Sequence, residues 1–264
     1  MLLPVTIAAL DDPRVADYQH IADHQHMLEQ GLFIAEGRLV VRRLLDLRHW
    51  RVESLLLSSA AADNLSDVLH LSEAPIYLVD QALMNAIAGF NIHRGCLALA
   101  HRLKVEPLDR LADRSLSRVL LLEGVNNPDN VGGLFRTAAA FGADLVVLGP
   151  SCGDPLYRKA IRTSMGATLA VPYVTASQWP GAITDLRADG FTVAALTPSH
   201  DALPLRNLPC HAKLALLVGA EGDGLTQSAI AASAVRVCIP MIATMDSLNV
   251  TTAASIAMYH CWQE

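Results

Sequence analysis

Aromatic side chains are scarce in this 264-residue chain, at 5% of the composition, so its core must be built from Leu, Val, Ile and Ala. Charge is also thin. Asp, Glu, Lys and Arg make up 17% of residues against 52% hydrophobic, a balance that excludes global disorder and permits a sizeable core. There is no basic excess: a net charge of −6 and an isoelectric point near 5.9 argue against coating nucleic acid by bulk charge, although a local patch can still position one. The five cysteines, Cys96, Cys152, Cys210, Cys238 and Cys261, are odd in number and lack CxxC spacing. They support neither a disulfide framework nor a zinc site, and a reducing compartment fits them best. No run approaches the ~18 uninterrupted apolar residues of a membrane span. Met1 to Leu10 is apolar but has no basic lead and soon meets Asp11 and Asp12, so it does not read as a secretory signal. The expectation is a cytoplasmic protein without membrane or metal.

Two common motifs are missing as well. The dinucleotide fingerprint G-x-G-x-x-G and the phosphate loop G-x-x-x-x-G-K do not occur, which weighs against a nucleotide-dependent oxidoreductase. Thr163-Ser164-Met165-Gly166 is not the G-x-S-x-G elbow of a hydrolase.

What is present is alternation. Asp12-Pro13 reads as the start of a helix that Gly31 ends. Strand candidates at Leu32 to Ala35, Val52 to Leu57, Ile76 to Val79 and Cys96 to Ala100 alternate with helix candidates at Gly37 to Trp50, Ala61 to Leu71 and Gln81 to Ala88. That pattern predicts a small α/β domain. Val105 to Ser117, with Pro107 and several charges, reads as a linker or linker helix. A second series follows, with apolar strands at Val119 to Leu122, Leu145 to Leu148, Phe191 to Leu196, Leu214 to Val218 and Val235 to Ile239. Such runs suit a parallel sheet buried on both faces. Helices are expected between them at Val131 to Phe141, Pro155 to Ser164, Pro180 to Ala188 and Leu225 to Ala232, and from about Asn249 to the C-terminus.

Three stretches of the second series can carry chemistry. Asn127 to Arg136 (NPDNVGGLFR) follows a strand and opens a helix; Asn130 is a plausible N-cap, and Gly132 and Gly133 permit close approach of a backbone or ligand. Arg136 is either solvent-facing or directed to a site. Gly219 to Gly224 (GAEGDG) ends a buried strand, where parallel sheets place their ligand crevice. Ile239-Pro240-Met241 precedes Asp246-Ser247-Leu248-Asn249 and a helix of small residues, for which Ser247 is a reasonable N-cap.

Taken in this order, the three motifs resemble those of the SpoU or TrmH family of RNA ribose methyltransferases in the SPOUT superfamily. That family carries N-x-G-x-x-x-R, then G-x-E-x-x-G, then I-P-M followed by S-L-N; here these are Asn130 to Arg136, Gly219 to Gly224, and Ile239 to Asn249. The likeness covers Val119 to about Tyr259. More weakly, Phe33 to Gly37 and His93-Arg94-Gly95 resemble the family's accessory α/β domain, which binds RNA. Two departures stand out: Ala243 where glycine is frequent, and Thr251-Thr252 where Ser-Val is frequent.

The resemblance implies an RNA substrate-binding domain over 1–105, a linker over 106–117 and a methyltransferase domain over 118–264 whose parallel sheet carries a deep trefoil knot. It implies S-adenosyl-L-methionine held by Leu196, Gly219, Ile239, Met241 and Leu248. Arg136, Asn130, Glu221, Ser247 and Asn249 are implied as catalytic residues that methylate a ribose 2′-hydroxyl of transfer or 23S-type ribosomal RNA in a homodimer. The alternative is an RNA-binding protein without catalysis on the same fold.

Two further clusters remain open. Arg38, Arg42, Arg43, Arg48 and Arg51 face only Asp46 locally, as a solvated helix face or an RNA patch. Arg158, Lys159 and Arg162 allow the same two readings. His20, His24 and His26 lie on the first expected helix, with His20 and His24 at i, i+4, and read as a solvated face rather than a metal site.

Overall fold

The two buried strand series build two separate sheets. The computed structural model describes residues 3–92, 94–103, 116–209, 212–242 and 247–262. The expected linker therefore lies outside the described residues except for Leu116 and Ser117, as do His93, Cys210 and positions 243–246. One unit comprises Met1–Lys104 with Leu156–Leu169, the other Val105–Pro155 with Ala170–Glu264.

The first unit contains β1 (Val5–Thr6), α1 (His24–Glu29), β2 (Leu32–Glu36), α2 (Arg38–Leu47), β3 (Val52–Leu57), α3 (Ser59–Leu65), β4 (Ile76–Leu78), α4 (Gln81–Ala88) and β5 (Cys96–His101). Its sheet runs β1-β4-β3-β5-β2, with β1, β4 and β3 parallel and β5 antiparallel to both neighbours. The helix expected from Asp12 to Gly31 is broken in two. A 3-10 helix over Pro13–His20 is capped by Asp12, and Asp23 then caps α1 by accepting from the His26 amide at 3.0 Å. The break separates His20 from His24: His20 stacks on His26 at 4.4 Å, while His24 meets the edge of Tyr157 at 4.7 Å. Likewise, the helix expected over Ala61 to Leu71 ends at Leu65, with a 3-10 turn at Leu69–Leu71.

The arginine cluster on α2 is partly neutralised by acids distant in sequence. Arg42 forks onto Asp67 at 2.6 and 2.8 Å and donates to the Asn64 carbonyl, which holds the Asp67 carboxyl below its ordinary range. Arg43 and Arg48 remain exposed.

The second unit contains β6 (Arg118–Glu123), α5 (Pro128–Ala140) and β7 (Leu145–Leu148). The chain then supplies α6 (Arg158–Thr163) to the first unit and returns. There follow β8 (Tyr173–Thr175), α7 (Gly181–Ala188), β9 (Thr192–Leu196), β10 (Leu203–Pro204), β11 (Leu214–Gly219), α8 (Gln227–Ala232), β12 (Val235–Cys238) and α9 (Val250–Cys261). All seven strands are parallel, in the order β10-β12-β9-β11-β6-β7-β8. Val119, Leu121, Val147, Val193, Ala215 and Leu217 form one buried layer with Ile183 and Leu186 of α7. β8 and β10 were not expected, because three and two residues carry no readable run.

In the first unit α6 packs along β2. Arg158 is neither a solvated cation nor a free phosphate ligand. It donates to the buried Glu36 at 2.6 Å and lies 4.3 Å from the centre of the Phe90 ring. Removing it leaves a buried carboxylate whose remaining ion-pair partner among the described residues is Arg162, 3.8 Å away. Arg158→Ala is expected to lower stability by about 3 kcal/mol, read as a fall in the urea midpoint. An unchanged midpoint would show that Glu36 finds solvent.

Candidate active site

The site is built where β9, β11 and β12 end and α5 and α9 begin. After β6, Asn127 rather than Asn130 caps α5, accepting from the Asp129 amide at 2.9 Å. Pro128 fixes the first helical φ, so the cap falls on the residue before it. Asn130 is thereby carried into the first turn, where it is buried. Gly133 is required by α9: a Cβ there would stand 2.8 Å from both Cγ2 and Oγ1 of Thr251. One turn on, Thr137 and Ser255 share a hydroxyl hydrogen bond of 3.0 Å.

α9 is likewise capped two residues later than expected. Asn249, not Ser247, accepts from the amides of Thr251 at 2.9 Å and Thr252 at 3.3 Å. Its Nδ2 donates to Asn130 Oδ1 at 3.0 Å and to Glu221 Oε1 at 2.6 Å. One side chain thus joins all three motifs. Ser247 instead lines the neighbouring cavity.

The glycine segment after β11 closes on itself. The Gly224 amide donates to the Ala220 carbonyl at 3.2 Å, and a Cβ on Gly219 would lie 2.5 Å from the Gly224 carbonyl carbon. Gly222 and Gly224 have φ of +91° and +69°, which a side chain would strain. The loop forms one wall of a cavity of about 400 Å³. Leu196, Gly219, Ile239, Met241 and Leu248 line it together with Glu221, Ser247 and Asn249. Sequence reading missed Thr197 and Pro198, also on the wall; a proline directly after a strand end was the available signal. Asn130 touches the site through Asn249.

Arg136 is not brought to this cavity. It is exposed on α5, six residues and so about 9 Å of helix beyond Asn130. Among the described residues nothing pairs with its guanidinium, and no group of three or more His, Cys, Asp or Glu side chains is arranged to hold a metal.

Comparison with known proteins identifies the arrangement. The sequence pattern of the SpoU rRNA methylase family matches residues 117–259. An uncharacterized tRNA/rRNA methyltransferase of Mycobacterium tuberculosis is 43% identical over 94% of this chain and 88% of its own. The 23S rRNA guanosine 2′-O-methyltransferase RlmP of Bacillus subtilis is 30% identical over 70% of this chain and 71% of its own. The AdoMet-bound rRNA methyltransferase of Sinorhizobium meliloti shares the fold with a TM-score of 0.83 at 24% identity, covering 97% of this chain and 96% of that one. The chain belongs to the SpoU/TrmH family of RNA methyltransferases.

Proposed function

We propose that this chain methylates a ribose 2′-hydroxyl in structured RNA, transfer RNA or 23S-type ribosomal RNA, with S-adenosylmethionine as donor. The observation that carries the reading is the Asn249 junction, which fixes three family motifs around one cavity. The donor fits by the cavity's own features. Its volume falls within the range of small-molecule pockets. Bare backbone at Gly219, Gly222 and Gly224 offers hydrogen bonds at close range, and Leu196, Ile239, Met241 and Leu248 offer an apolar slot for a flat ring.

When bound, the cofactor would supply an electrophilic methyl group to the ribose oxygen, with the departing sulfur taking the bonding electrons and the hydroxyl proton passing to water. The remaining work belongs to side chains. Glu221 and Asn249, locked together, hold the rim against which the ribose is oriented, with Ser247 beside them. A guanidinium is a poor proton acceptor at neutral pH, so Arg136 grips a phosphate and stabilises charge growing on the 2′-oxygen. Its position away from the cavity of its own chain supports a homodimer in which a second copy completes the site. Exposed Ala139 and Ala140 near the end of α5, with Ile256 and Tyr259 on α9, give that contact an apolar face. The seating of α9 against both α5 and the glycine loop is consistent with the family's trefoil knot. The first unit, with Arg43 and Arg48 exposed on and just after α2, is assigned to RNA selection, so binding should weaken as salt rises.

Gly219→Ala must push the loop open, because its Cβ meets backbone rather than a movable side chain. Titration calorimetry should then show S-adenosylmethionine affinity falling at least ~10-fold, the scale of losing one or two good hydrogen bonds. Unchanged affinity in the folded variant would move the cofactor elsewhere.

Arg136→Ala should remain folded and bind cofactor normally, yet transfer methyl groups at least ~100-fold more slowly in single turnovers. Arg136→Lys should recover little, since an ammonium lacks the planar fork. A near-normal rate for Arg136→Ala would return Arg136 to the solvated surface.

A further inference from the structure

Glu123 belongs to none of the three family motifs, yet it is 3% exposed and has no cation within ion-pair distance among the described residues. Three donors meet its carboxylate. Oε1 accepts from Trp179 Nε1 at 2.6 Å and from the Thr226 hydroxyl at 2.8 Å, and Oε2 accepts from the Thr226 amide at 2.8 Å. A buried carboxylate is expensive to keep out of water, so its partners are strongly determined.

The placement of these partners is informative. Glu123 is the last residue of β6 and lies in register beside Gly219, the last residue of β11. Gly219 opens the glycine loop, and Thr226 follows its closure at Gly224 and Leu225. Thr226 also starts α8, its hydroxyl accepting from the Ala229 amide at 3.2 Å while donating to Glu123. One residue therefore holds both ends of the loop: the near end through sheet pairing and the far end through its side chain. The third leg is equally fixed, for the Trp179 indole stands 3.2 Å from where a Gly149 Cβ would be, at the end of β7.

We propose that Glu123 is a positioning residue for the glycine loop, holding Gly219 to Gly224 in the shape that receives S-adenosylmethionine. This rests on the cofactor assignment above. Glu123 lies outside the cavity wall and acts through Thr226.

Glu123→Gln tests the idea, because the amide places a donor against donors at one of the two oxygen positions. The variant should bind S-adenosylmethionine about tenfold more weakly in calorimetry, while kcat at saturating cofactor stays within about threefold of wild type. Deuterium uptake over residues 219–226 of the free protein should rise. Thr226→Val should reproduce most of the loss, and Thr226→Ser, which keeps amide and hydroxyl, should restore wild-type affinity. If Glu123→Gln does not fold, the two threonine variants decide the matter alone. A lower melting temperature with unchanged affinity and unchanged loop exchange would overturn the proposal and leave Glu123 a core residue only. Should wild type itself give no heat with S-adenosylmethionine, the cofactor assignment fails, and loop exchange in the free variants still decides whether Glu123 holds the loop.

Discussion

The amide of Asn249 has no hydrogen-bonding position left unused. Two protons on Nδ2 go to Asn130 and Glu221, and Oδ1 accepts from the amides of Thr251 and Thr252 in the first turn of α9. Reversing the amide would set oxygen against oxygen on one side and N–H against N–H on the other, so only one orientation is compatible with the neighbours. Three segments, two of them lying 119 and 28 residues from Asn249 along the chain, thereby acquire a common origin. The glycine loop, the buried turn of α5 and the start of α9 are placed relative to one another by one side chain of fixed rotation. A cavity wall held in this way sits on rigid elements with its side-chain rotations locked by hydrogen bonds.

Close helix packing completes the frame. α9 approaches α5 over Gly133, whose missing side chain is replaced by the methyl and hydroxyl of Thr251. This gives a physical reason for the threonine that departs from the family's usual serine: the extra methyl fills space that glycine leaves open, so the two positions are complementary. The Thr137–Ser255 hydroxyl pair continues the same contact one turn along.

Much of this was legible in the sequence. The parallel strands of the second unit announced themselves as aliphatic runs, because burial on both faces removes any polar alternation. The motif order located Gly219, Ile239, Met241 and Leu248 on one cavity. The errors were local. Caps were placed at Asn130 and Ser247, whereas Pro128 shifted one cap upstream to Asn127 and a competing Asn shifted the other downstream to Asn249. A single early helix was read where Asp23 restarts the chain. Long-range pairings such as Arg42 with Asp67, Arg158 with Glu36, or Thr226 with Glu123 leave no mark in spacing, since their partners are brought together only by the finished fold.

The excursion of residues Leu156–Leu169 into the first unit bears on how the chain matures. A growing polypeptide ordinarily folds its leading domain as soon as that domain has emerged. Here the leading unit is complete only after α6 has been made, some fifty residues beyond Lys104, and until then Glu36 has no Arg158 to meet it. By that point β6, α5 and β7 of the second unit already exist. The first unit therefore closes only after part of the second has been synthesised, and Glu36 on β2 goes without Arg158 until then.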